Sequence, residues 1–201
     1  MLDRFAIGLF KPGLDRAAAL LVRAGVGADA ITWAGFAIGV GAALAIAQRQ
    51  FELGLALLLV SRLADGLDGA VARLTVPTDR GAFLDITLDF LFYASIPLAF
   101  AFADPDANAL AAAVLLAAFV GTGSGFLAYA VMAERRQLAS KAFPSKGIFY
   151  LGGLTEATET IACFALMCLW PAHFARIAYV FAALCGVTIV TRVLAGWKHL
   201  Q

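Results

Sequence analysis

The sequence has few charged residues and few of the side chains that bind zinc or form disulfides. Only 14% of its 201 residues are charged, against roughly a quarter in a typical soluble domain. The three cysteines lie in apolar stretches without metal-site spacing, so we interpret Cys163, Cys168 and Cys185 as packing residues. The net charge of +1 gives no reason to expect a nucleic-acid partner.

Apolar residues dominate instead, at 62% of the chain and a mean hydropathy of +0.87. A chain of this length and composition has room for about six membrane spans joined by short loops. We therefore predict an all-α integral membrane protein with six transmembrane helices, in a single domain over residues 1–201. The spans are expected to begin near residues 29, 51, 80, 109, 149 and 174, in a bundle over residues 28–196.

Residues 1–24 differ from the spans because charged residues are interspersed with the apolar ones. They are predicted to form amphipathic helices on the membrane surface, one over residues 1–12 and one over residues 14–24. The segment lacks a long apolar stretch followed by a small-residue cleavage site, so we do not expect a signal peptide.

The basic residues indicate the orientation of the bundle. Six spans place both termini on one side, and all 15 Lys and Arg residues except Arg49 and Arg176 fall on or near that side. Short loops rich in Lys and Arg stay in the cytoplasm. We therefore expect both termini, and the ends of spans two and three that meet there, to face the cytoplasm.

Four aspartates lie in or at the ends of apolar segments, where an unpaired charge costs several kcal/mol. Asp65 and Asp68 are three residues apart and Asp85 and Asp89 four, so each pair shares one face of its helix. If the two helices meet, the four carboxylates gather at one point.

Four carboxylates that close cannot all stay ionised unless cations join them. Because neither His nor Cys is nearby, Mg²⁺ or Mn²⁺ fits this oxygen-only site better than zinc. The small residues Gly69, Ala72 and Gly81 leave room for a ligand against bare backbone. Arg62, one turn before Asp65, is open to two interpretations, a structural salt bridge or a substrate contact.

The motif D-x-x-D-G-x-x-A-R, then seven residues, then G-x-x-x-D-x-x-x-D resembles the signature of the CDP-alcohol phosphatidyltransferase family. Its eight fixed positions are all filled within 25 residues: Asp65, Asp68, Gly69, Ala72, Arg73, Gly81, Asp85 and Asp89. The resemblance implies a phospholipid-synthesis enzyme that moves a phosphatidyl group from CDP-diacylglycerol to a small alcohol and releases CMP. It also implies a homodimer in a bacterial-type inner membrane, with the active site facing the cytoplasm.

The resemblance further implies roles for the motif residues. Asp65, Asp68 and Asp85 are expected to bind two divalent ions, Mg²⁺ or Mn²⁺, and Asp89 to act as general base while also touching a metal. The nucleotide and its phosphates are expected to contact Asp65, Gly69, Ala72, Arg73 and Gly81. The motif leaves the opposite reaction open, in which a CDP-alcohol donates a phosphoalcohol to diacylglycerol. The small size and six spans resemble the phosphatidyl-transferring members, which we favour.

The acceptor is predicted from the one substantial hydrophilic stretch, residues 134–147, which carries Arg135, Arg136, Lys141 and Lys146. These would bind a phosphorylated alcohol, with glycerol 3-phosphate favoured over inositol phosphate, or else touch anionic membrane lipids. Glu156, early in predicted span five, would either pair with an arginine or receive the ammonium of an acceptor such as serine.

Two other classes of protein place acidic residues inside a membrane. A small cation-binding transporter would do so near the bilayer midplane and between Gly/Pro-broken helices, whereas these carboxylates cluster near one face. A scaffold with a structural metal leaves the gap around Gly69, Ala72 and Gly81 unexplained. Metal-dependent release of CMP separates the enzyme from both.

Overall fold

Helices account for nearly all of the computed structural model, which describes residues 3–136 and 154–199, with side chains from residue 11 onward. No strand occurs in those residues, which confirms the all-α prediction. The helices are α1 (Asp3–Arg23), α2 (Ala28–Ala47), α3 (Phe51–Leu74), α4 (Asp79–Ala103), α5 (Pro105–Arg135), α6 (Ala157–Leu169) and α7 (Phe174–His199). A 3₁₀ turn, Pro171–His173, joins α6 to α7.

Side-chain caps begin α4 and α5. Thr78 Oγ1 accepts a hydrogen bond from the backbone N–H of Gly81 at 3.0 Å, which starts α4. Asp104 Oδ1 accepts one from the backbone N–H of Ala107 at 3.2 Å, which starts α5. Because α5 begins at Pro105, our predicted start of span four near residue 109 was about one turn too late.

The core lies where helices α2 to α7 meet, with α2 packed on α3 and α4, and α5 on α4 and α7. Phe100 of α4 stacks between Phe51 of α3, at 5.7 Å between ring centroids, and Phe174 of α7, at 4.5 Å. Stacked aromatic pairs add about 0.5–1.5 kcal/mol beyond the area they bury. These rings tie three helices together at one end of the bundle.

Two glycines of α2 let this helix approach its neighbours closely. A Cβ atom at Gly35 would lie 3.0 Å from Ala64 Cβ. One at Gly39 would lie 2.6 Å from Phe92 Cδ2 and 2.9 Å from Ser61 Oγ. The G-x-x-x-G spacing thus marks a helix-packing face, and it presses α2 against the polar part of α3.

Within residues 3–136 and 154–199, four helical segments are long and apolar enough to cross a membrane, namely α2, α4, α5 and Pro171–His199. Helix α3 has 24 residues but carries Arg62, Asp65 and Asp68, and α6 has only 13 residues. At about 1.5 Å per residue, a helix as short as α6 falls well below the ~30 Å hydrocarbon thickness. The fold is that of a multi-pass membrane protein, and the count of six spans stays a prediction.

The N-terminal segment forms one helix instead of the two we predicted, since α1 continues through Pro12. Ala18 is fully buried, and Leu14 and Leu21 pack beside it against Ala70 and Val71 of α3. One side of α1 is therefore held by the bundle, because its apolar residues recur at helical spacing.

We expect Gly39→Ala to lower the free energy of unfolding by about 1–3 kcal/mol, because its methyl group would overlap the buried Phe92 ring. The matched control is Gly125→Ala in α5, where an added Cβ meets nothing within 4 Å. That change should be neutral or stabilise by up to about 1 kcal/mol through helix propensity. Thermal unfolding in lipid nanodiscs measures both. Equal melting temperatures for the two variants would contradict the close approach of α2 and α4.

Candidate active site

Helices α3 and α4 bring the four motif aspartates to one pocket, because both helices pack on α2. Asp65 and Asp68 come from α3, and Asp85 and Asp89 from α4. Helix α2 closes the third side. The pocket is lined by Thr32, Gly35, Phe36, Ser61, Arg62, Asp65, Asp68, Asp85, Leu88 and Asp89.

Three of the carboxylates form a tight group. Asp65, Asp68 and Asp85 each offer one oxygen, and these oxygens all lie within 4.8 Å of one another. Asp68 is buried, with 5% of its surface exposed, whereas Asp85 is exposed, so the group opens to one side. Negative charges at this spacing repel strongly in a poorly solvated site.

The residues of this group fit a hard divalent cation. The Oδ2 atom of Asp68 is buried, and the part of the chain that the structure describes supplies it with no hydrogen-bond partner. A buried carboxylate oxygen without a donor is costly, and a cation would satisfy it. The donors are all carboxylate oxygens, which Mg²⁺ and Mn²⁺ accept readily.

Asp89 pairs with an arginine of α3. Its Oδ1 accepts a hydrogen bond from Arg62 Nη1 at 2.6 Å, and the same nitrogen lies 3.6 Å from Asp65 Oδ1. Of the two interpretations left open for Arg62, the structure supports a salt bridge, and the arginine reaches across to α4 as well as along α3.

The residues predicted to contact the nucleotide lie at the open ends of α3 and α4. A Cβ at Gly69 would be 3.4 Å from Arg73 Nη1, so the exposed Arg73 side chain folds over this glycine. A Cβ at Gly81 would be 3.3 Å from Asp29 Oδ1, whose carboxylate pairs with Arg80. The lining of the aspartate pocket does not include Gly69, Ala72, Arg73 or Gly81. Their role in binding a nucleotide stays a prediction.

The residues predicted to bind the acceptor are not brought to this pocket in the described ranges. Arg135 ends α5 and Arg136 caps it, both exposed, while Lys141 and Lys146 fall outside the described residues.

Glu156 corrects our placement inside span five, because it lies just before α6 as its N-cap. Its side chain accepts from the backbone N–H of Glu159, and Glu159 Oε2 accepts from the backbone N–H of Glu156 at 3.2 Å. In this capping box each carboxylate accepts a hydrogen bond from a backbone N–H at the start of α6. Both carboxylates therefore have a structural role.

Sequence reasoning missed several residues that line the pocket. Ser61 Oγ donates to the Gly35 carbonyl at 2.8 Å and thereby joins α3 to α2 beneath the aspartates. Thr32, Gly35, Phe36 and Gly39 recur at the spacing of one helix face. That periodicity was the available signal in the sequence.

Comparison with known proteins gives a family match over most of the chain. The family described as CDP-alcohol phosphatidyltransferase matches residues 26–193. The inner membrane protein YnjF of Escherichia coli (strain K12) is 49% identical over 201 residues, which is 100% of this chain and 98% of that protein. The archaetidylinositol phosphate synthase of Methanothermobacter thermautotrophicus is 31% identical over 180 residues, covering 87% and 85% of the two chains.

The fold is also shared with a solved enzyme, the phosphatidylinositol phosphate synthase of Mycobacterium tuberculosis. Its structure with CDP-DAG bound has a TM-score of 0.67 at 22% identity and covers 92% of this chain and 93% of that one. Its structure with manganese and citrate has a TM-score of 0.70 at 22% identity and covers 92% and 88%. At this identity the likeness shows a common fold.

We expect Asp68→Asn to remove the rise in melting temperature that Mn²⁺ produces, because the amide gives up the buried negative charge. A ligand at 100 times its Kd stabilises the folded state by about 2.7 kcal/mol, which a melting curve resolves. Asp106→Asn, at an exposed position in the first turn of α5, is the matched control and should keep the full rise. A full Mn²⁺ effect in the Asp68 variant would show that the ion binds elsewhere.

Proposed function

Because the chain belongs to the CDP-alcohol phosphatidyltransferase family, we propose that it moves a phosphatidyl group from CDP-diacylglycerol to a small alcohol and releases CMP. The observation that carries this proposal is the pocket in which α3 and α4 gather all four motif aspartates. The family match covers both helices, and the complete motif lies within it.

The proposal includes a membrane arrangement that suits these substrates. The chain would cross an inner membrane six times as one catalytic domain, with α1 on the membrane surface and a second copy completing a homodimer. The distribution of Lys and Arg supports a cytoplasmic position for both termini and the aspartate pocket. A soluble nucleotide and the lipid carrying it would meet there at the membrane interface.

Asp65, Asp68 and Asp85 would hold two divalent ions, Mg²⁺ or Mn²⁺, and Asp89 would also touch one of them. The tight oxygen group and the buried Asp68 Oδ2 support this assignment, as does the manganese in the solved structure of similar fold. When bound, such ions neutralise a pyrophosphate and stabilise the charge that develops on departing CMP.

The reaction exchanges one P–O bond for another. The acceptor oxygen bonds to the phosphorus that carries diacylglycerol, while the bond from that phosphorus to the CMP oxygen breaks and CMP leaves with the electron pair. Asp89 would take the proton of the acceptor hydroxyl on its second oxygen, since Arg62 occupies its first. Arg73, folded over Gly69, would bind a phosphate oxygen, and Ala72 and Gly81 would leave space for the cytidine.

For the acceptor, we propose a small alcohol that already carries a phosphate. The exposed arginines Arg135 and Arg136, followed in sequence by Lys141 and Lys146, support an anionic acceptor. Glycerol 3-phosphate was the acceptor favoured from the sequence, and the names of the relatives add support for inositol phosphate. The capping box at Glu156 takes away the main reason to expect serine.

The experiment measures CMP release by purified protein in lipid with CDP-diacylglycerol, Mn²⁺ and one acceptor at a time: glycerol 3-phosphate, inositol phosphate or serine. We expect release with one of the two phosphorylated alcohols and none after chelation of the metal. Asp89→Asn should lower kcat by at least about 100-fold through loss of the general base. Asp68→Asn should abolish turnover in a folded protein, and Asp106→Asn should match the wild type.

A blank result with every acceptor would contradict this direction of transfer. CDP-alcohols offered with diacylglycerol would then test the opposite reaction. A second blank would favour the transporter or scaffold over the enzyme.

A further inference from the structure

Helix α1 packs on the part of α3 that carries the first two motif aspartates. Ala18 of α1 is fully buried in a small apolar cluster that also contains Ala70 and Val71 of α3 and is separate from the main core. A Cβ atom at Gly66 of α3 would lie 3.2 Å from Leu14 Cδ1. The glycine therefore lets the Leu14 side chain come close to the α3 backbone.

The contact with α1 lies on the side of α3 that turns away from the aspartate pocket. Gly66 directly follows Asp65, and Ala70 comes two residues after Asp68. With about 3.6 residues per turn, Ala70 stands roughly 150° around the helix from both aspartates. This short stretch of α3 thus has Leu14 on one side and the pocket on the other. A shift of α1 therefore displaces the two carboxylates.

The opposite face of α1 carries an apolar side chain between two positive charges. Arg16, Leu20 and Arg23 are spaced i, i+4 and i+7, so they share one face of the helix, roughly opposite the buried Ala18. All three are exposed, and Leu20 keeps 66% of its surface accessible. Asp15 lies about 100° around the helix from Arg16 and is partly buried. The outer face of α1 is therefore positively charged.

This outer face fits the anionic headgroups of a membrane. Helices that lie in the membrane interface combine basic residues with exposed leucines, which enter the boundary of the acyl chains. Guanidinium groups form paired hydrogen bonds with phosphate oxygens and are attracted to anionic lipids. The chain has apolar helices long enough to cross a membrane, and these keep α1 close to such headgroups.

We propose that the outer face of α1, formed by Arg16, Leu20 and Arg23, binds anionic lipid headgroups and that α1 couples this binding to the metal site. With α1 seated on an anionic membrane, Leu14 is a positioning residue that supports the stretch of α3 carrying the first two motif aspartates. The coupling rests on the proposed function for the metal-binding role of these aspartates, whereas the lipid surface does not depend on it. The enzyme would then respond to the anionic lipid content of its own membrane.

The first test labels a single introduced cysteine, Leu20→Cys, with a bimane fluorophore in nanodiscs. The three native cysteines are buried, so labelling selects the introduced one. Spin-labelled phosphatidylglycerol should quench the fluorophore at least about twofold more than spin-labelled phosphatidylcholine at the same mole fraction. Arg16→Gln combined with Arg23→Gln should abolish the difference. Equal quenching by the two lipids before the arginines are changed would overturn the proposal. Quenching by neither lipid would also overturn it, because a protein partner would then cover this face.

The second test is the affinity for Mn²⁺ without substrate, followed by the electron paramagnetic resonance signal of free Mn²⁺. In nanodiscs with about one third phosphatidylglycerol, Arg16→Gln combined with Arg23→Gln should weaken Mn²⁺ binding at least about fivefold. In nanodiscs of phosphatidylcholine alone, the affinity should match the wild type within about twofold. Direct electrostatics acts in the opposite direction, because loss of two positive charges favours a bound cation. Arg176→Gln, at an exposed position in the first turn of α7, is the matched control and should leave the affinity unchanged.

Leu14→Ala tests the path between the lipid surface and the metal site. The outer face of α1 stays intact in this variant, so the preference for phosphatidylglycerol in the quenching assay should persist. The Mn²⁺ affinity in anionic nanodiscs should nevertheless fall to that of the double arginine variant, because the shortened side chain loses its contact with α3 at Gly66. A wild-type Mn²⁺ affinity in Leu14→Ala would overturn the coupling through this contact.

Unchanged or tighter Mn²⁺ binding after loss of both arginines would overturn the coupling as a whole. A wild-type protein that binds no Mn²⁺ in either membrane would refute the metal site on which the proposed function depends, and the coupling with it. The quenching assay would then still decide the lipid surface. The expected results of both tests in a protein that releases no CMP would support this inference and refute only the proposed reaction.

Discussion

Four carboxylates inside an apolar helical bundle repel one another, and much of the local structure compensates for that repulsion. Arg62 balances Asp89 and part of Asp65 from within the protein. The other oxygens converge on the open side of the pocket, where Asp68 keeps a buried oxygen that no described group satisfies. The remaining negative charge and the all-oxygen donor set suit this group to a divalent cation.

The packing of α2 against α3 and α4 serves the same site. Gly39 leaves the space that the Phe92 ring occupies, and Phe92 in turn lies under the guanidinium of Arg62. Ser61 joins the arginine to the backbone of α2. A close helix contact, a core aromatic ring and a buried ion pair thus form one continuous arrangement. For this reason a substitution in the apolar packing is expected to alter the positions of the charged side chains in the pocket.

Helical spacing alone predicted which aspartates share a face, because the geometry of a single helix is fixed by its hydrogen bonds. The pair between Arg62 and Asp89 could not be predicted that way, since it depends on how α3 and α4 are placed relative to each other on α2. Glu156 was misplaced because Glu is an unusual N-cap residue, so an apolar run containing it was interpreted as a continuing span. We inferred nucleotide-binding roles from the family resemblance for Gly69, Ala72, Arg73 and Gly81. Those roles stay predictions.

The most direct measurement of the central claim is the anomalous scattering of Mn²⁺ in crystals of the protein grown in lipid. The account predicts Mn²⁺ density in the aspartate pocket, next to the oxygens of Asp65, Asp68 and Asp85. Mn²⁺ density only at other places in the protein, or none in this pocket, would contradict it.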